Sequence, residues 1–150
     1  MKKFRFSLET VLDYKQQALD ALRAEHGAIL AQVRAQEAVV AGLEDQYSQL
    51  DQEFTQRKLE GLTVLEAMQY EQYLRAMEQK IRTENHKLEL LRRQEEEKRS
   101  KVVEARQETA SIEKLKEKKL DSYRKAAQKD EELMIDEFVS TARAMAAMEA

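Results

Sequence analysis

Residues that could carry chemistry are few and scattered along this chain. The histidines are His26 and His86, consecutive carboxylates occur at residues 95–97, and there is no cysteine. A metal site needs imidazoles, thiolates or carboxylates that converge on one point. A phosphate-binding loop needs closely spaced glycines, whereas the glycines here are at positions 27, 42 and 61. We therefore predict no catalytic, cofactor-binding or metal-binding residue, and no enzymatic activity.

The composition favours long helices over a fold with many turns. The 150 residues include no proline and 3 glycines, and 37% of them are charged while 6% are aromatic. β-folds need frequent turns, which glycine and proline normally supply. High charge with few aromatics is typical of helices that pair along a narrow apolar stripe. The net charge of −3 disfavours a dedicated nucleic-acid binder, and no apolar run has the length of about 18 residues that spans a membrane.

Apolar residues before residue 60 recur at alternating spacings of three and four, which is the pattern of a coiled coil. Only Lys15, His26 and Gln36 interrupt the pattern. We call this stripe the seam, and it predicts a first helix of about residues 5–60. Its members form two series, one running Leu8, Lys15, Leu22, Ile29, Gln36, Leu43, Leu50 and the other Leu12, Leu19, His26, Val33, Val40, Tyr47, Phe54.

A single turn is signalled after this helix. Gly61 suits the left-handed residue that often follows a helix. Thr63 and Glu66 have the spacing of a capping box, which satisfies free backbone donors at a helix start. These signals predict a turn at residues 61–63 and a second helix of about residues 64–143.

When the chain is folded about Leu62, the second helix matches the first with one constant offset. His26 then faces Lys98, Ile29 faces Glu95, and Lys15 faces Thr109. The layers Ile29–Glu95 and His26–Lys98 are expected to be the loosest part of the hairpin. We predict an all-α fold with one domain, a long antiparallel two-helix coiled-coil hairpin with a C-terminal helical overhang. The predicted apolar layers include Phe54–Tyr70, Leu50–Leu74, Tyr47–Met77, Val33–Leu91 and Leu12–Ile112.

The overhang begins at about Tyr123, where the second helix has passed the start of the first. An amphipathic helix face without an internal partner is a candidate binding surface. A frayed terminus is the alternative interpretation. Phe4 and Phe6 lie at the same end and are expected to cover part of the face. Its apolar residues are Leu120, Tyr123, Ala127, Met134, Phe138, Ala142 and Met145.

Three stretches of the sequence resemble the flagellar export protein FliJ family, namely residues 4–15, 70–81 and 113–119 with 136–138. The resemblance covers nearly the whole chain. It implies a stalk that inserts its terminal end into the ring of a FliI-type export ATPase hexamer, promotes ring assembly and ATP hydrolysis, and links the ring to a FlhA-type export gate. It also implies binding of a FliH-type regulator and of export chaperones. The implied location is the cytoplasmic face of the inner membrane at the flagellar base, and the isolated chain is expected to be a monomer.

The resemblance also suggests binding residues. Leu120, Tyr123, Met134 and Phe138 are the candidates for binding the ATPase ring, with plain helix surface as the alternative for residues 136–138. Tyr73 and Met77 occupy the aromatic and aliphatic positions of the family's gate-binding patch, although the seam predicts core packing for Met77. Lys80 and Glu84 depart from the family pattern, which has a small residue and a histidine at those positions.

Two alternatives to the flagellar stalk remain open from the sequence. One is the related stalk of a virulence-type secretion injectisome. The other is a generic coiled-coil scaffold that self-associates through its seam.

Overall fold

The computed structural model describes residues 2–149, and within them the chain forms two helices and no strand. Helix α1 comprises Glu9–Glu60 and helix α2 comprises Val64–Glu149. The two long helices pack against each other, which confirms the predicted all-α helical hairpin.

The outer ends of both helices differ from the sequence estimates. Helix α1 begins at Glu9 rather than at about residue 5, because the chain before it makes a turn in which Glu9 N donates to Phe6 O at 3.2 Å. Helix α2 continues to Glu149 rather than ending near residue 143. No glycine or proline occurs after Gly61 to interrupt it.

The connection at residues 61–63 shows why the chain reverses there. Gly61 has a φ of 110°, a conformation that glycine adopts without a Cβ clash. Thr63 caps α2, since its Oγ1 accepts from Glu66 N at 3.2 Å and its carbonyl accepts from Ala67 N at 3.0 Å. The Glu66 carboxylate instead lies 3.5 Å from Arg57 Nη2 at the end of α1. Thus the threonine half of the capping box forms, while the glutamate makes an ion pair across the turn.

The chain divides into two compact units. The turn unit is Asp20–Val103, and the terminal unit joins the described residues up to Leu19 with those from Glu104 onward.

In the turn unit the helices run antiparallel in the predicted register. The sequence separation of residues that bond across the two helices falls toward the turn. It is 73 for Lys98 with Glu25 and 9 for Arg57 with Glu66. Phe54 stacks on Tyr70 with ring centroids 5.0 Å apart, as the register predicted. A buried cluster of Val33, Val40 and Leu88 is flanked by Ile29 and Leu91.

Polar side chains within the turn unit's seam are paired rather than left open. His26 Nε2 lies 2.9 Å from Glu95 Oε1, and both side chains are largely shielded from water. Lys98 Nζ donates to Glu25 Oε2 at 2.6 Å. The sequence placed Lys98 opposite His26, but long side chains reach diagonally along the helix pair to a charged partner. The layers expected to be loosest are therefore closed by hydrogen bonds.

The terminal unit has its own small core of Phe6, Leu12, Leu19 and Thr109. The burial of Thr109 leaves no unpaired hydroxyl, because that hydroxyl donates to Ala105 O at 2.8 Å within its own helix. Lys15, which the sequence set opposite Thr109, instead donates to Glu108 Oε2 at 2.8 Å. This ion pair raises the pKa of Lys15, chiefly through the hydrogen bond.

The inward positions of α2 change their spacing in the terminal unit. Beyond Thr109 they advance by three, four and four residues, which is an 11-residue repeat rather than a heptad. This spacing corresponds to about 3.67 residues per turn, and an insertion of four residues into a heptad pattern locally unwinds a coiled coil. The half-buried positions that follow this spacing are Ile112, Lys116, Leu120, Tyr123 and Ala127.

Candidate functional site

Groups suited to catalysis or metal binding are not gathered anywhere in residues 2–149. No cluster of three or more histidine, cysteine or acidic side chains with metal-binding geometry occurs there. His26 is engaged by Glu95, and His86 is exposed on α2. Among these residues, no helix has the length and apolarity needed to cross a membrane. The candidate sites are exposed surfaces of the two helices.

Two of the predicted ring-binding residues, Leu120 and Tyr123, are half-buried within the terminal unit. The Tyr123 hydroxyl donates to Lys2 O at 2.6 Å, and its ring lies 5.5 Å from that of Phe4 at 52°. The segment before α1 is thus held along α2, and Phe4 packs on the Tyr123 ring as expected, while Phe6 is buried in the core of the terminal unit. The last half-buried residue of α2 is Ala127.

Every side chain from residue 128 to 149 is exposed, and we call this part of α2 the C-terminal segment. The other two ring-binding candidates, Met134 and Phe138, lie here with 70% and 76% of their surface exposed. Burying one such side chain contributes about 1.5–3 kcal/mol. These exposed apolar side chains make the C-terminal segment a candidate docking surface. Its remaining large members are Leu133, Ile135, Val139, Met145 and Met148.

The two predicted gate-binding residues have different environments. Tyr73 is 61% exposed, whereas Met77 is 7% exposed and contributes to the core. Both line one shallow groove of the turn unit, together with Leu50 and Glu53. Tyr73 is therefore available to a partner as a whole side chain, while Met77 contributes only an edge to the groove floor.

A neighbouring part of the turn unit fixes polar side chains beside this groove. The Tyr47 hydroxyl donates to Glu78 Oε1 at 2.8 Å, and this hydrogen bond is the main reason that the pKa of Tyr47 is raised. Glu84 accepts from Gln36 at 2.6 Å, which lowers the pKa of Glu84. At the position where the family pattern has a histidine, Glu84 thus forms an interhelical hydrogen bond, and Lys80 is exposed.

The structure also reveals exposed apolar residues that the sequence analysis missed, close to the turn. Leu59, Val64, Leu65 and Met68 are 80%, 78%, 66% and 52% exposed. They occupy positions outside the seam on either side of Gly61. The sequence carried a signal for them, since each is a large apolar residue at a position that does not belong to the seam.

Comparison with protein families gives one result that covers almost the entire chain. The family described as flagellar FliJ protein matches residues 4–147. Comparisons with curated proteins and with solved structures found no significant match. The match includes both helices, the turn and nearly all of the C-terminal segment, and it agrees with the resemblance found in the sequence. The chain therefore belongs to the flagellar FliJ protein family, whose members are associated with flagellar protein export.

Proposed function

We propose that this protein is the non-enzymatic stalk of the flagellar export ATPase. Its C-terminal segment inserts into the ring of a FliI-type hexamer, where it promotes ring assembly and ATP hydrolysis. The observation that carries this proposal is the large apolar surface on an otherwise charged helix, centred on Met134 and Phe138. A closed ring of subunits supplies a surface on all sides of an inserted helix, and so it suits a segment exposed all around.

The helix that bears this segment is suited to transmit force. Helix α2 continues without a break from Val64 to Glu149, and its terminal-unit part is anchored by Lys116 to Glu9 at 2.8 Å. A helix free of glycine and proline has no built-in hinge. Binding of Met134 and Phe138 by the ring would thus be coupled to the part of α2 that pairs with α1.

We further propose that the groove containing Tyr73 binds a FlhA-type export gate. Support comes from the exposure of Tyr73 beside Leu50 and Glu53, which offers an aromatic ring, an aliphatic side chain and a charge on one surface. A FliH-type regulator and export chaperones complete the proposed set of partners. The assembly would then lie at the cytoplasmic side of the flagellar base.

Removal of residues 131–150 tests the stalk proposal. The full chain should raise ATP hydrolysis by its cognate FliI-type ATPase, and the truncated chain should not. The melting temperature should change little, since every described residue removed is exposed and so adds little to the folded core.

Point variants separate the two proposed surfaces. Met134→Ala with Phe138→Ala should abolish ATPase stimulation and leave gate binding intact. Tyr73→Ala should abolish gate binding and leave ATPase stimulation intact. If the full chain neither stimulates nor co-purifies with the ATPase, the proposed function is wrong.

A further inference from the structure

Charges in the terminal unit are sorted into two bands of opposite sign. The basic band comprises residues 114–129 together with the N-terminal segment, which the contact of Lys2 with Tyr123 places beside them. Residues 130–137 form the acidic band, which contains no basic residue. The basic side chains are Lys2, Lys3, Arg5, Lys114, Lys116, Lys118, Lys119, Arg124, Lys125 and Lys129, with Glu117 and Asp121 as the acidic residues among them, and the acidic band has Asp130, Glu131, Glu132, Asp136 and Glu137.

Most of these charges have no ion-pair partner in the described chain. Within residues 2–149, the ion pairs of the basic band are Lys116–Glu9 and Lys125–Asp121, and the acidic band forms none. The turn unit differs, since its opposite charges pair between the helices, as in Lys98–Glu25.

Sorting charges in this way is unfavourable for an isolated helix. Lys125 and Lys129 are four residues apart with like charges, as are Glu132 and Asp136. Each such pair destabilises a helix by about 0.2–0.5 kcal/mol. Apart from the two ion pairs of the basic band, these charges therefore gain little inside the chain, and a complementary outer surface would relieve the repulsion between like charges.

The bands are long enough to be distinguished by a partner. At a rise of about 1.5 Å per residue, the helical part of the basic band extends about 24 Å and the acidic band about 12 Å. Both lengths exceed the Debye length of about 8 Å at physiological salt. A partner can therefore sense the change of sign between Lys129 and Asp130.

We propose that the partner of the terminal unit is a protein surface with two successive zones, and that the charge step at Lys129–Asp130 sets how far the helix enters it. One zone is acidic and faces the basic band. The other is apolar with lysine or arginine at its edge, and it faces the acidic band and its neighbours Met134 and Phe138. This inference rests on the proposed function, in which that surface is the pore of the ATPase ring.

The acidic band argues against an anionic membrane or a nucleic acid as the partner. Its carboxylates flank the same apolar residues that would have to enter a bilayer. An anionic surface that attracted the basic band would repel this neighbouring band.

Band inversion tests the inference without altering net charge. Lys118→Glu with Lys119→Glu, combined with Asp136→Lys and Glu137→Lys, reverses the sign at two positions of each band, which nearly removes the charge step along α2, and keeps the total at −3. We expect the inverted full-length chain to bind the ATPase at least about tenfold more weakly at about 0.1 M salt. The loss should shrink at about 0.5 M, because salt screens charge interactions. Each half of the change alone should also weaken binding.

Matched controls place the same changes in the turn unit. Lys80→Glu with Lys101→Glu, and Glu96→Lys with Glu97→Lys, alter exposed residues outside the bands. They should leave ATPase binding within about twofold of the unmodified chain, since their distance from the bands exceeds a Debye length. Unchanged melting temperatures would show that all variants are folded.

The outcomes are distinct. If the unmodified chain binds the ATPase and the inverted chain binds equally well, the charge-step inference is overturned while the proposed function stands. If the unmodified chain does not bind, the proposed function fails and the inference fails with it. If the chain bound mixed phosphatidylserine and phosphatidylcholine vesicles as strongly as it binds the ATPase, the choice of a protein partner would be overturned.

Discussion

Leu88 and Leu90 allow the contribution of the seam to be measured with a built-in control. Leu88 is 5% exposed in the cluster with Val33 and Val40, whereas Leu90, on the same helix, is 45% exposed. Truncation to alanine removes the same atoms at both positions and changes helix propensity equally. Any difference between the two variants therefore reports packing between the helices.

The magnitude follows from burial. At about 0.8 kcal/mol per buried carbon, three lost carbons at Leu88 correspond to about 2.4 kcal/mol. The cavity left by the truncated side chain adds only a small further cost, because neighbouring side chains in a two-helix pair can relax into it. We expect Leu88→Ala to lower the free energy of unfolding by about 2–3 kcal/mol and Leu90→Ala by about 1 kcal/mol or less.

Urea titrations followed by circular dichroism at the helical band measure both values. Leu88→Ala should reduce the midpoint with little change of slope, since the surface exposed on unfolding stays similar. Equal losses at the two positions would refute the packing argument. A larger loss at Leu90 would mean that the register is wrong.

The remaining predictions concern the glycines and an ion pair. Gly61→Ala should destabilise the chain by about 1 kcal/mol because of the positive φ, while Gly27→Ala and Gly42→Ala, which meet nothing within 4 Å, should each stabilise it by about 0.5–1 kcal/mol, as thermal denaturation would show. The Lys98 hydrogen bond lowers the pKa of Glu25, so its stabilising contribution is present above the unfolded pKa and is lost as pH falls through the lowered folded pKa. Lys98→Met should therefore weaken the loss of stability on acidification below about pH 5, and an unchanged pH profile would contradict this assignment.

The division of α2 into paired and exposed parts links stability to function. Residues that pair with α1, such as Leu74 and Leu88, are buried and supply the packing energy. Residues of the C-terminal segment, such as Phe138, are exposed and add little packing energy to the folded chain. Substitutions in that segment are therefore free to change partner binding without unfolding the chain, which makes the proposed experiments interpretable.

Two helices, the turn between them and their register could be predicted from periodicity and turn signals, although the outer helix ends could not. Heptad spacing is a local property that defines one face of a helix, and Gly61 with Thr63 defines one place to reverse. Once both faces and the turn are known, an antiparallel pair has one consistent alignment. The stacking of Phe54 on Tyr70 confirms it.

The arrangement of the N-terminal segment and of the long side chains depends on contacts between residues far apart in the chain. The position of Phe4 at the same end of the hairpin led us to expect it on the overhang, but the segment before Glu9 is not helical, so no periodicity predicts that it packs on Tyr123 or that Tyr123 bonds to Lys2 O. Likewise, Glu95 pairs with His26 although the register sets it opposite Ile29. A long polar side chain can reach a partner that does not share its layer. A repeat specifies which backbone positions face each other, whereas the contacts of extended segments and long polar side chains depend on three-dimensional proximity.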